Sequence, residues 1–156
     1  MAARKLLQPI LIGGLIAGVL DITYAFVFSY LRSGRTPAFV LQSVASGALG
    51  RDSYQGGAKT AAMGLAFHFL IALVAAAVYV LASRALPFMT THPVLSGMVY
   101  GLCVYAVMYC VVLRFSAIRA TTWPWALPKS VFIGGLLIHI LGIGLPIALV
   151  NRHYSK

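Results

Sequence analysis

The chain has 156 residues, 61% hydrophobic and 9% charged, with a mean hydropathy of +0.93. A soluble domain is nearer a quarter charged, which excludes a water-facing globular fold and predicts a membrane protein. Lys and Arg outnumber Asp and Glu 12 to 2, a formal charge of +10. Nearly all the basic residues sit at the ends of apolar runs, where they meet anionic lipid headgroups, so the excess predicts a bilayer partner and no nucleic acid.

Four runs, near 7–31, 60–86, 94–113 and 130–150, are each long enough to cross a hydrocarbon core, which takes roughly 20 residues. They predict an all-α, polytopic membrane protein, a single integral membrane domain over 1–156 with no room for a soluble catalytic domain. The first run follows a basic start, Met1-Ala-Ala-Arg4-Lys5, but is too long for a cleaved signal and is read as a retained span. Within it Gly14, Gly18, Asp21 and Ala25 recur at helical spacing and share one stripe. Small residues admit a neighbouring helix closely, so Asp21 is expected to face the bundle interior. Arg32 and Arg35 mark the exit.

The connection that follows holds a short helix over 37–49, with Thr36-Pro37 as N-cap and N1 pair and Gly50 as stop. Val40, Leu41, Val44, Ala45 and Ala48 oppose Gln42, Ser43 and Ser46. At about 20 Å this amphipathic helix is too short to span, and is placed in the interface or as a cap on the bundle. Asp52, beside Arg51, reads as an exposed charge.

The second span carries Gly64, His68, Ala72, Ala75 and Tyr79 on one stripe, and the third Gly97, Gly101, Val104 and Met108. Tyr100, Tyr105 and Tyr109 read as packing and interfacial side chains. Cys103 and Cys110 lie ~10 Å apart on one helix, too far for a disulfide. In the loop that follows, Trp123-Pro124-Trp125 suits a rigid segment at headgroup level. The fourth span runs Gly135, His139, Gly142, Pro146, with Pro146 expected to loosen or bend it, and Asn151-Arg152-His153 to end it in water.

A phrase recurs: Gly64-x-x-x-His68 and Gly135-x-x-x-His139, each preceded by a Gly-x-x-x-Gly run (Gly14 and Gly18, Gly97 and Gly101). The pattern predicts two tandem hairpins in an up-down-up-down bundle. Gly14, Gly18, Gly64, Gly97, Gly101, Gly135 and Gly142 are the candidate helix-packing positions, able to serve the bundle itself, a homo-oligomer or a larger membrane complex.

The order of marks resembles the YagU-like proteins. The match lies in Gly13-Gly14-Leu-Ile-Ala-Gly18 opening the first span, and His68, Tyr79 and Pro87 in and after the second. A Gly-rich third span, Trp123-Pro124-Trp125 with Pro128, and His139 early in the fourth complete it. The long first-loop insert of the enteric member is missing. The resemblance implies a small bacterial inner-membrane protein with both termini cytoplasmic, no catalytic activity and a link to acid resistance. The basic residues alone lean slightly towards the opposite orientation, with the loops after the first and third spans inside; the orientation implied by the resemblance is adopted.

Counting from the basic ends places Asp21, His68 and His139 at ~14–17 Å from one membrane face, near the midplane. An ionisable group at that depth is a functional candidate by default. Three roles are open: a structural pin, a proton-responsive layer, and a bis-His haem site at His68 and His139. A His-His-Asp metal site is weaker still, and neither metal nor cofactor is predicted. Asp21 and Asp52 are the only acids, which leaves no carboxylate pair, and no nucleophile–base motif or phosphate loop appears, so no catalytic residue is expected. A scaffold that binds another membrane protein through Gly and Ala faces is the alternative function.

Overall fold

The computed structural model describes residues 2–155, with side chains from Leu6 onward; Arg4, Lys5 and Lys156 of the charge reading lie outside that description. The described residues are helical with no strand. The helices are α1 (Ala2–Ser33), α2 (Pro37–Leu49), α3 (Gly57–Ala85), α4 (Phe88–Thr91), α5 (Pro93–Phe115) and α6 (Lys129–Tyr154). Four segments, Leu6–Ser33, Gly57–Ala85, Pro93–Phe115 and Lys129–Tyr154, are long and apolar enough to cross a membrane.

The outer faces carry the large apolar side chains: Leu15, Val19, Val74, Val78, Leu102 and Leu141 are all exposed. The interior is made of small and polar ones, with Ala17, Ala76, Ala148, Ser83, Ser96 and Asn151 buried around Tyr79 and Ile147. Such an inside-out distribution fits lipid as the solvent, because lipid supplies no hydrophobic drive between helices and close contact must come from small residues.

Packing follows the glycines. α1 lies against α3 and α6, α5 lies against α6, and the backbones of α3 and α5 stay apart. A Cβ at Gly14 would stand 3.0 Å from the Leu73 Cα, and one at Gly18 2.7 Å from the Phe69 ring, both on α3. On the other side, Gly97 would meet Ala148 at 2.8 Å and Gly101 the Ile140 Cα at 2.6 Å, both on α6. Gly64 is pressed against the Leu41 carbonyl of α2, Gly135 against the Tyr105 ring, and Gly142 faces Leu20 of α1. All seven packing glycines are therefore filled from within the chain.

Two segments depart from α geometry. Met108–Val112 in α5 and His139–Gly144 in α6 are π-helical, with Leu113 N–H donating to Met108 O and Leu145 N–H to Ile140 O, five residues back. In α6 the cause is legible: Pro146 has no N–H and crowds the carbonyl four residues before it, which opens the ladder there. A π turn inserts one residue, so the stripe Gly135–His139–Gly142–Pro146 does not continue straight. Beyond it Gly144, Ala148 and Asn151 point inwards. That corrects the expectation for Asn151: it is fully buried, not in water, and its Nδ2 donates to Ser83 Oγ at 3.1 Å.

α2 also departs from its polar pattern. Thr36 Oγ1 caps it by accepting from Phe39 N–H, and Gly50 ends it at φ 73°. Its buried residues are Val40, Gln42, Ala45 and Ser46, so two side chains of the predicted polar face point inwards. The reason is bonding: Gln42 Nε2 donates to Gly57 O at 3.1 Å, and Ser53 Oγ to Gln42 O at 3.0 Å.

Candidate functional site

Asp21, His68 and His139 line one chamber of about 220 Å³ between the four long helices, together with Val44 of α2. They stand 12, 11 and 10 residues from Ser33, Gly57 and Lys129, the ends of their segments, hence ~15–18 Å along the helices. Val104 of α5 lines the same chamber, and so do Met108 and Tyr109, Met108 opening one π turn and His139 the other. Wide turns of this kind concentrate at functional sites.

The two imidazoles are each held by one nitrogen. His68 Nε2 lies 2.9 Å from Gly18 O. A carbonyl only accepts, so Nε2 carries the proton and the neutral ring keeps its lone pair on Nδ1. That nitrogen faces Asp21 Oδ2 at 3.9 Å, with the two side chains 11% and 22% exposed. The separation is too long for a hydrogen bond. It is an ion pair only when the ring is charged. His139 uses the other nitrogen: Nδ1–H donates to Gly135 O at 2.8 Å within its own helix. Its Nε2 carries the lone pair in the neutral ring, and the Tyr105 ring stands edge-on to it at 5.3 Å.

One end of the bundle gives access. A cavity of about 670 Å³ runs from Arg32 and Arg35 down to Asp21, Tyr109 and His139, walled by α1, α2 and α6. Towards the other end polar contacts cross the interior. Tyr79 Oη donates to Met89 O at 3.0 Å and lies 2.8 Å from Ser96 Oγ, and Tyr100 Oη donates to Ala75 O at 2.6 Å.

Against the haem alternative, His68 commits Nε2 to a backbone carbonyl and turns Nδ1 to a carboxylate, and the chamber, at about 220 Å³, is below the ~300–1,000 Å³ of ordinary ligand pockets. Among the described residues, no three His, Cys, Asp or Glu side chains converge as metal ligands.

Trp123 and Trp125 stand apart from this layer. Their rings stack at 5.0 Å, 8° from parallel, with the Arg114 guanidinium 3.5 Å above Trp123. Arg114 also donates to Thr121 O, and Ala117 N–H to Gly47 O, which docks the loop on α2. Three contributors escaped the sequence reading. Gly144, whose Cβ would sit 2.7 Å from the Gly101 Cα, follows Ile140 and precedes Ala148 at helical spacing. Tyr109 carried no signal beyond its place on α5. The α5 π turn has neither Pro nor Gly to announce it.

The fold and site together define an all-helical protein with four helices able to cross a membrane and an acid–imidazole chamber between them. No family model, curated protein or solved structure matches the chain.

Proposed function

We propose that this chain is a non-enzymatic, multi-pass protein of the bacterial inner membrane that senses protons at an Asp21–His68–His139 layer. The observation that carries the reading is that the three side chains, far apart in sequence, share one chamber, and that Asp21 and His139 also line the entrance cavity. Imidazole exchanges its proton around neutral pH, and each ring has one nitrogen anchored on a backbone carbonyl. Protonation of His68 at Nδ1 would turn a lone pair facing a carboxylate into an ion pair. The likeness to YagU-like proteins and the link to acid tolerance belong to this reading. So do two tandem hairpins in up-down-up-down order, an interfacial α2, and both termini in the cytoplasm. The scaffold alternative is less favoured, because the glycine faces it would use are filled internally.

The test is ¹⁵N NMR of histidine-labelled protein in bilayers, titrated from about pH 8 to about pH 5. Uptake at His68 that shifts on Asp21→Asn supports a coupled layer. Rings that stay neutral throughout, or titrate identically in Asp21→Asn, sink it.

A further inference from the structure

α2 separates two spaces that meet at one of its residues. On one side lies the entrance cavity beside Arg32 and Arg35. On the other, a slot of about 460 Å³ is walled by α2, α3 and α5, and Ser43 lines both. The slot is apolar, with Val44, Phe67, Leu70, Met108 and Val112 among its walls. It opens sideways, between the two long helices whose backbones stand apart: Leu70 at its edge is 56% exposed and Phe115 86%. In a bilayer, what lies beside such an opening is acyl chain.

The entrance has the opposite chemistry. Arg32 and Arg35 line it, and Arg35 is steadied by its guanidinium lying 4.0 Å over the Phe39 ring. The only carboxylate lining that cavity, Asp21, sits at its base. The two loops on this face and the helix ends beside them carry seven basic residues, Arg32, Arg35, Arg51, Lys59, Arg114, Arg119 and Lys129, against Asp52 alone. Guanidinium groups match phosphate oxygens in both charge and geometry.

We propose that entrance and slot form one binding site for an anionic phospholipid. The phosphate sits at Arg32 and Arg35, and one acyl chain crosses α2 at Ser43 and lies along the slot. A free phosphate would use the arginines and leave the slot without a role; a phospholipid uses both. The site does not rest on the proton reading and stands if the chamber takes up no proton.

The test uses the full-length protein in mild detergent, delipidated and followed by native mass spectrometry. The probes are phosphatidylglycerol, phosphatidylcholine with the same chains, and glycerol 1-phosphate. Wild type is expected to hold phosphatidylglycerol about 10-fold more tightly than phosphatidylcholine, with glycerol 1-phosphate failing to compete. Arg32→Gln/Arg35→Gln should bring phosphatidylglycerol to the phosphatidylcholine level. Ala48→Trp, which fills the slot without touching a charge, should weaken both lipids about 10-fold, and decides the matter if the arginine variant does not fold. Equal binding of the two lipids by wild type overturns the proposal, and so does unchanged binding in Ala48→Trp or in a folded arginine variant. An equal loss in Arg152→Gln at the other end would reduce it to diffuse charge, and full competition by glycerol 1-phosphate to a free-anion site; either overturns it.

Discussion

The contact between Gly101 and α6 bears directly on the site, because the backbone it touches belongs to His139. In Gly101→Ala the new Cβ would stand 2.6 Å from the Ile140 Cα and 2.8 Å from the His139 carbonyl carbon. Ordinary van der Waals contact begins near 3.4 Å, so the helices must part by about 1 Å, and no flexible side chain is there to give way. Gly97 and Gly144 share this contact, and a radial gap of that size forfeits a quarter to a half of the dispersion at every pair it opens. Overpacking on this scale costs about 1–3 kcal/mol. Gly47→Ala is the control, since its Cβ would find only the Ser116 Cβ at 3.9 Å, and a gain of about 0.5–1 kcal/mol from helix propensity is expected there. Reversible unfolding in mixed micelles, followed by circular dichroism, measures both. The histidine ¹⁵N signals of Gly101→Ala should also move at His139 more than at His68. A Gly101→Ala protein as stable as Gly47→Ala, with His139 unmoved, would refute the packing described here.

Three further outcomes follow from the geometry. At neutral to alkaline pH the ¹⁵N shifts should report His68 protonated on Nε2 and His139 on Nδ1, because each donates to a carbonyl from that nitrogen; the reverse tautomer at either ring would contradict the site. Ser83→Ala strips Asn151 of its one side-chain partner and should cost about 1–3 kcal/mol, whereas Ser83→Ala with Asn151→Leu should recover most of it. Equal stability of the single and double variants would show that the pair does not matter. Arg114→Lys loses the flat guanidinium over Trp123 and should shift indole emission while costing about 0.5–1 kcal/mol in the loop; unchanged emission would argue against the stack.

The four apolar segments were legible because lipid imposes length and hydropathy on any helix that crosses it, and their ends fall within a few residues of the expected positions. The meeting of Asp21 with His68 was legible for a related reason: each lies on a stripe of small residues, and such stripes face protein. What periodicity could not carry is a change of period. The π turn after Ile138 rotates the rest of α6, which hid Gly144 and sent Asn151 to the interior. The burial of Gln42 and Ser46 was hidden differently. A polar residue is read as outward-facing unless its partner is known, and Gln42 answers the Gly57 carbonyl, fifteen residues away.

The chamber is asymmetric in a way that bounds what it can hold. α1 brings Asp21 to it where α5 brings Val104, so two imidazoles share a single carboxylate. One imidazolium beside Asp21 leaves the layer neutral. A second leaves an unpaired charge deep among the helices, which costs a few kcal/mol or more in hydrocarbon. The layer proposed here therefore stores one proton above the neutral-histidine state. His68, with Nδ1 turned to Asp21 at 3.9 Å, is the ring whose free nitrogen faces the carboxylate. His139, unlike His68, lines the entrance cavity as well as the chamber. Replacing Val104 with Asp would lift the limit to two, and that count can be read from the same histidine signals.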